Sequence, residues 1–406
     1  MDLDVNPGGP KAGTPDAPRV DNSPRYFQID FTGSGSEYFR IWIVNLLLTI
    51  VTLGLYAPWA KVRKLKYFYG NTHVGGHTLD FHGSPKRMLR GYLLVGAMFL
   101  AVNVSGRISP IAGGVAIVLM VCLWPALVRA SLQFRLANTS WRGMRFRFSG
   151  TMADAYKAFL LPMLVFAAFF VVVGLLAPHP GGIGPDGEPI APAAPDPLLG
   201  KLMAILTLAF YGVMPYFWYR LKRYQHDHYG FAQLQTELRA GAGSFYKLFL
   251  KSLGVLVLCG LVFGVLVAIG GMGGAIFGRG PGAIIAMIPF FILGAVLLQA
   301  VPYPYFVSRM QNLLWSSTGS NLIRFKSELP FKAFFLLTLK NWLLTVLTLG
   351  FYWPFAAIAT TRMKLQAMSI HTRVDLDALA SEARAKGNQD ASGDVAADLF
   401  GIDFGL

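Results

Sequence analysis

Histidines, basic residues and asparagines within apolar segments are the residues of this chain that could carry chemistry. His73, His77 and His82 fall in one short stretch with Asp80, and His226 and His228 flank Asp227. If the two stretches met, His73, His77 and His228 could ligate a transition metal. In an extended strand, however, His77 and His82 face opposite sides. A matching stretch further along carries Ser140, Met144 and Ser149 at the histidine positions. The pattern predicts solvated hairpin histidines, with no metal and no cofactor. Cys122 and Cys259 sit in separate apolar runs and offer neither a disulfide framework nor a thiolate site. No Gly-x-Ser-x-Gly, P-loop or His-Glu-x-x-His occurs, and Gly271-Met-Gly-Gly follows no strand. The expectation is that the protein is not an enzyme.

Asn45, Asn341, Lys340 and Gln299 lie inside apolar segments, where a polar group is costly and often functional. On one reading the asparagines glue helices and Lys340 snorkels to the membrane surface. On the other, Asn45, Thr52, Gly54 and Pro58, with Asn341, Thr348, Gly350 and Pro354, form helix breaks lining a pathway near a pseudo-symmetric interface, as in repeat-built transporters. No spanning segment carries a carboxylate, which leaves proton coupling without a carrier. A third set is basic: Lys61, Arg63, Lys64 and Lys66 run into Tyr67, Phe68 and Tyr69, and Arg220, Lys222 and Arg223 form a second cluster. Their place directly after membrane segments predicts contact with anionic lipid headgroups and excludes nucleic acid as the partner.

The elements that must position these residues are membrane helices. Of 406 residues, 54% are apolar and only 14% charged, against roughly 25% charged in an ordinary soluble domain. Mean hydropathy is +0.48, so the formal charge of +15 is no sign of a nucleic-acid binder. Apolar runs of spanning scale lie near 41–60, 89–105, 109–128, 158–177, 199–219, 248–270, 282–305 and 333–359. Residues 1–24 read as a disordered tail without a signal peptide, and 381–406 as a second tail. Pro178 to Pro197 and Gly270 to Gly282 read as loops.

The chain also resembles itself. Asn71 to Gly83 aligns without gaps on Asn138 to Gly150, sharing Asn, Thr, Gly, Phe and the final Gly, and Pro58 and Pro125 precede the two copies at the same distance. Pro302 with Phe325, an eroded copy at Pro215 and a last proline at Pro354 extend the series, and Phe31-Thr-Gly33 repeats its ending. Each module reads as a short strand, one or two helices, a proline box, a basic helical stretch and a turn. The Gly-Gly text suits a small hairpin at the membrane surface. Aromatic residues around the prolines, among them Tyr56, Trp59, Trp218 and Trp353, read as interface anchors. The expected fold is thus an all-α polytopic membrane protein with internal repeats and small cytoplasmic β-hairpins between helix modules, its repeat-built transmembrane domain covering 25–380.

Basic residues give the orientation. Of 36 Lys and Arg, 22 fall in 61–90, 129–147, 220–251 and 309–332, whereas the intervening loops hold almost none. The proline boxes and hairpins are therefore expected on the cytoplasmic side. Eight spans would leave both tails outside, at odds with Arg362, Lys364 and Arg373 after the last. Asn45 to Ala60 matches Asn341 to Ala356 at ten of sixteen positions, each with a central Thr-Leu-Gly. Two re-entrant hairpins at 41–60 and 333–359 with six spanning helices resolve the conflict, provided that protein or water covers the broken backbone. Eight plain spans are the alternative.

The text from Thr52 to Thr72, Thr-Leu-Gly-Leu-Tyr-Ala-Pro-Trp-Ala-Lys-Val-Arg-Lys-Leu-Lys-Tyr-Phe-Tyr-Gly-Asn-Thr, resembles the YjgN-like proteins, a bacterial inner-membrane family, and the likeness runs from about Arg25 to Ala380. The resemblance implies a multi-pass protein of the bacterial inner membrane and supplies no catalytic residues. Two function classes stay open: a transporter or channel for small solutes, and a non-transport scaffold or lipid-interacting protein with a basic cytoplasmic face. Membrane lipids are the expected partner, and a homo-oligomer is compatible with either class.

Overall fold

The computed structural model describes residues 20–176, 197–275 and 281–375, and its chain leaves and rejoins one sheet five times. Strand β1 (Val20–Phe31) leads into α1 (Gly35–Val51) and α2 (Ala57–Gly70), which returns to β2 (Thr72–Val74). Next, β3 (His77–Phe81) leads through α3 (Pro85–Ile108) and α4 (Pro110–Ala137) to β4 (Thr139–Trp141). The third excursion runs from β5 (Met144–Phe148) through α5 (Met152–Leu176) and α6 (Pro197–His226) to β6 (Tyr229–Phe231). Two short strands, β7 (Leu234–Gln235) and β8 (Glu237–Leu238), precede α7 (Ala242–Ala275), α8 (Pro281–Ala300), α9 (Pro302–Ser316) and β9 (Thr318–Gly319). The fifth comprises β10 (Ile323–Ser327), α10 (Phe331–Leu347), α11 (Trp353–Gln366) and β11 (Met368–Val374).

The hairpins expected between modules are present but do not stand alone, which corrects the all-α expectation. Gly75 and Gly76 (φ 56° and 78°) and Arg142 and Gly143 (φ 54° and 79°) make the tight turns, with His73 opposite Thr78 and Ser140 opposite Arg145. An isolated two-stranded hairpin is marginal and leaves open edges. Here the hairpins pair edge to edge, giving an eleven-stranded antiparallel sheet in the order β7-β6-β5-β4-β3-β2-β1-β11-β10-β9-β8. Its ends, β7 and β8, are consecutive in the chain across Thr236, so the sheet is nearly closed. Alternate residues fill its inside: Phe27, Ile29, Val74, Leu79, Trp141, Phe146, Phe231, Ile323, Met368 and Ile370 pack into one apolar cluster. Of the other parity, Gln28, Asp30, Thr78, Asp80, Arg145, Arg147, Arg324 and Lys326 are exposed.

The helices form a second ring on the first. Each packs on the next in chain order, and α11 closes on α1. Six stretches among the described residues are long and apolar enough to cross a membrane: α3, α4, α5, α6, α7 and the combined α8–α9. By contrast α1, α2, α10 and α11 have 17, 14, 17 and 14 residues. Seventeen residues rise about 25 Å, short of the roughly 30 Å hydrocarbon core.

Buried prolines mark the same place in all five excursions. Pro58, Pro125, Pro215, Pro304 and Pro354 are buried, and each precedes the first residue of a strand (Thr72, Thr139, Tyr229, Thr318, Met368) by the same interval. In the fourth excursion the proline in register is thus Pro304 and not Pro302, which is only half-buried. Three boundaries also differ from expectation. The strand β1 reaches back to Val20, opposite Val374, into the stretch read as tail. Helix α7 continues through the glycines to Ala275, because Gly270 lets it approach α8 closely: a Cβ there would lie 3.1 Å from the Phe290 side chain. The remainder of the N-terminal tail, the 381–406 tail and the Pro178 to Pro197 loop fall outside the described residues, apart from Pro197, which begins α6.

Candidate functional site

The site is built where the first and last helical hairpins meet. Tyr38, Trp42 and Asn45 recur at helical spacing on one face of α1, and Lys61, Lys64, Leu65 and Tyr69 do the same on α2. With Trp353 of α11 and Arg135 of α4 they line an open-sided cavity of about 440 Å³. An adjoining recess of about 490 Å³ shares Lys64, Leu65, Tyr69 and Trp353 and extends along α11 to Thr360 and Thr361. Both volumes fall within the range of small-molecule sites.

Two local devices hold this geometry. The Tyr67 hydroxyl receives a hydrogen bond from the Ser34 backbone N–H at 2.8 Å and donates towards the Ser34 carbonyl and Glu37 at 2.9 and 3.0 Å, tying the foot of α1 to α2. Burial pushes the Tyr67 phenol up from its ordinary value, which keeps it protonated as a donor. At the far end the chain reverses at Leu53 and Gly54 (φ 50° and 91°). The Thr52 hydroxyl donates to the Leu48 carbonyl at 2.7 Å and accepts the Tyr56 N–H at 3.0 Å.

The cavity is cationic and aromatic. Lys61, Lys64 and Arg135 line it. The Lys64 ammonium stands 5.9 Å from the Phe68 ring centre and 5.5 Å from that of Trp353. Trp353 in turn lies 6.2 Å from Trp42 and 6.3 Å from Tyr38. Arg135 brings a cation from α4 to those of α2. Asn45 is 7% exposed, and its Oδ1 has no hydrogen-bond partner among the described residues.

The residues singled out from sequence separate into distinct places. Asn45, Lys61 and Lys64 line the cavity. Arg63 and Lys66 are exposed on the other side of α2. In α6, Lys222 donates to the Gln225 Oε1 at 2.9 Å, Arg220 is half-buried, and Arg223 pairs with Asp227 and Tyr219. Thr52, Gly54, Thr348 and Gly350 form the predicted breaks, but neither cavity includes them. They sit at apolar tips where Leu53 and Leu349 are 94% and 90% exposed. Pro58 and Pro354 are buried at the starts of α2 and α11.

Asn341 lines neither cavity, and its Oδ1, like that of Asn45, has no hydrogen-bond partner among the described residues. Its Nδ2 donates to the Ala356 carbonyl at 3.4 Å and the Thr360 hydroxyl at 3.3 Å within its own hairpin. Lys340 and Gln299 are exposed. Nor do the histidines assemble: His73 and His77 belong to β2 and β3, whereas His228 stands before β6, with β4 and β5 between. His73 contacts the Thr32 hydroxyl at 3.1 Å and His228 the Tyr224 carbonyl at 2.8 Å.

Sequence reasoning missed Tyr38, Trp42, Tyr69, Arg135 and Trp353 as cavity residues. The spacing of Tyr38, Trp42 and Asn45 was a usable signal, since it puts two aromatics on the asparagine's face. Trp353 passed as a surface anchor because one sequence cannot distinguish the lipid-facing side of a helix from a cavity wall.

A bacterial family described only as of unknown function, DUF898, matches residues 27–399. The inner membrane protein YjgN of Salmonella typhimurium is 31% identical over 149 residues, 36% of this chain and 38% of that protein. Its namesake in Escherichia coli K12 is 33% identical over 137 residues, 33% of this chain and 34% of the relative. The alignments thus span little more than a third of these relatives, and no solved structure matches the chain. With a family match over most of its length and six helices fit to cross a membrane, the chain belongs to the DUF898 family and is a multi-pass protein of the bacterial inner membrane.

Proposed function

We propose that the protein is a non-enzymatic lipid-interacting membrane protein whose cavity receives an anionic headgroup from the cytoplasmic leaflet. The observation that carries this is the convergence of Lys61, Lys64 and Arg135 beside Tyr38, Trp42 and Trp353. Cations and amphipathic rings at one depth are the chemistry of a headgroup layer. The exposed apolar helix faces above suit acyl chains.

This reading places the strand ring in the cytoplasm. Each helical excursion starts and ends on that ring, and the ring side carries the clustered basic residues. The α1–α2 and α10–α11 hairpins then enter and leave the bilayer on the same side. Their broken backbone is covered by neighbouring helices at the base and capped by Thr52 and Thr348 at the tip, which answers the demand for satisfied polar groups. The recurrence of buried proline and strand start supports descent of the five excursions from one repeated unit.

Two experiments test these statements. Native mass spectrometry of the purified protein should find co-purified anionic phospholipid, retained at least severalfold less when Lys61, Lys64 and Arg135 are all changed to Gln; equal retention would refute the site. For sidedness, Arg145→Cys and Lys326→Cys, each in a Cys122→Ala background, should react with an impermeant thiol reagent only after the inner membrane is opened. Labelling on intact cells would reverse the orientation.

A transporter or channel for small solutes is the second reading, favoured by the chain reversals that break the α1–α2 and α10–α11 hairpins. The apolar filling of the strand ring opposes a continuous water path along its axis. Solute flux in proteoliposomes at rates above an empty-vesicle control would favour this reading over the lipid one.

A further inference from the structure

The two short hairpins are finished for hydrocarbon at their tips. In the first turn the N–H groups of Thr52, Leu53, Gly54, Leu55 and Ala57 all donate to backbone carbonyls of the turn, and the Tyr56 N–H donates to the Thr52 hydroxyl. Pro58, next in the chain, has no N–H to satisfy. The second turn repeats the pattern from Thr348 to Trp353, with Tyr352 on the Thr348 hydroxyl and Pro354 following. A turn in water can leave donors to the solvent, whereas one in lipid must satisfy them itself. The side chains carried outermost are apolar: Val51, Leu53, Leu347 and Leu349 are 79%, 94%, 69% and 90% exposed.

The nearest charges set the depth. No charged residue lies between Arg40 and Lys61 or between Lys340 and Arg362. Each tip rises about 10–14 Å along the helix from Lys61 or Lys340, comparable with one leaflet of a hydrocarbon core roughly 30 Å thick. Lys340 is exposed on the face of α10 that carries exposed Leu336, Leu343 and Leu347. Its side chain leans towards the start of α10, so it reaches back to the headgroups and not onward into the bilayer.

Four helices, α1, α2, α10 and α11, thus occupy the leaflet beside the strand ring alone, while the six spanning stretches cross both leaflets. The four are contiguous, because α11 closes on α1. At about 10 Å in diameter each, they take roughly 300 Å² from one leaflet only. Resting on the re-entrant hairpins proposed above and not on the cavity, we infer that the molecule is a one-leaflet wedge that concentrates on membrane convex towards its strand ring. In flat membrane the hairpins crowd the lipids of their own leaflet. Convex curvature opens the area they need, the reason that insertions into one leaflet respond to curvature.

The test uses the full chain, with Cys122 and Cys259 replaced by Ala, in giant vesicles from which narrow tubes are drawn. An impermeant dye on Arg145→Cys marks only molecules whose ring faces the dye. Ring-outward molecules should be denser on the tube than on the vesicle, increasingly so as the tube narrows. Ring-inward molecules, marked by dye enclosed in the vesicle, should be depleted from it. A fluorophore on Leu55→Cys or Phe351→Cys should be quenched best by lipids carrying a nitroxide near the midplane. Leu53→Asp with Leu349→Asp should draw that fluorophore towards the headgroups and bring the tube-to-vesicle density ratio close to unity. Equal density on tube and vesicle with the tips at the midplane, enrichment of both orientations alike, or sorting that survives withdrawal of the tips overturns the wedge alone. A tip fluorophore reached by an aqueous quencher from the side opposite the ring overturns the re-entrant reading instead.

Discussion

The Phe-x-Gly ending of the strands is a packing device at the scale of single residues. Phe31, Phe81 and Phe148 are buried, and each ring folds over the glycine two residues on. A Cβ at Gly33, Gly83 or Gly150 would lie 2.6, 2.4 or 2.6 Å from a carbon of that ring. The ring then reaches the inner helices: Phe81 packs with Val62, Met88 and Phe134, and Phe148 with Leu132 and Leu221. Adding a methyl group to a packed core costs about 1–3 kcal/mol, so Gly83→Ala should lower the thermal midpoint in detergent. Phe81→Leu in the same chain should recover part of that loss, because the clashing carbons are gone. An unchanged midpoint for Gly83→Ala would mean that the Phe81 ring swings aside freely. The Phe and Gly were legible as a recurring text, but their contact was not, since glycine in sequence signals a turn before it signals the space under a ring.

At the scale of elements, the two short hairpins were the best-read part of the chain. Thr-Leu-Gly marked both breaks, and both turn alike, with Leu53 and Leu349 at φ 50° and Gly54 and Gly350 at 91° and 93°. A non-glycine residue at positive φ is strained by about 1–2 kcal/mol. Leu53→Gly should therefore leave the purified protein as stable or slightly more so in detergent, where the exposed leucine has no bilayer to enter. In vesicles the same change should weaken membrane retention of the hairpin, read as greater protease access at the tip. Thr52→Val keeps shape but removes the acceptor for the Tyr56 N–H, and by analogy with helix caps should cost about 1 kcal/mol. Equal stability of Thr52→Val and wild type would show that the turn is held by packing alone. What sequence could not supply here was the destination of Asn45 and Asn341: identical hairpins gave identical expectations, and only the surroundings, Lys64 in one and Thr360 in the other, set them apart.

The whole molecule differs from its sequence reading in one respect that matters for stability, the joining of local hairpins into a ring. The turns are local and were legible in Gly75-Gly76. The pairing of β3 with β4 and of β5 with β6 joins segments separated by entire helical excursions, and short strands carry too little pattern to name such distant partners. The first and last strands of the fold meet in the sheet, where β1 pairs with β11, so the first and last hairpins are neighbours and the cavity can draw on both. Tyr26 is opposite His371 in that register, with ring centres 5.1 Å apart. Paired Cys substitutions, Tyr26→Cys with His371→Cys in a chain whose Cys122 and Cys259 are replaced by Ala, should form a disulfide on mild oxidation of the purified protein, since directly opposed strand residues come within bridging reach. The cross-link ties residues near the two ends of the fold, so the oxidised chain should migrate faster than the reduced one on denaturing electrophoresis and should unfold at higher temperature. Gln28→Cys with His371→Cys is two residues out of register and should cross-link more slowly. Equal rates for the two pairs, or none for either, would mean that β1 and β11 do not close the ring, and the cavity built on their neighbouring hairpins would lose its frame.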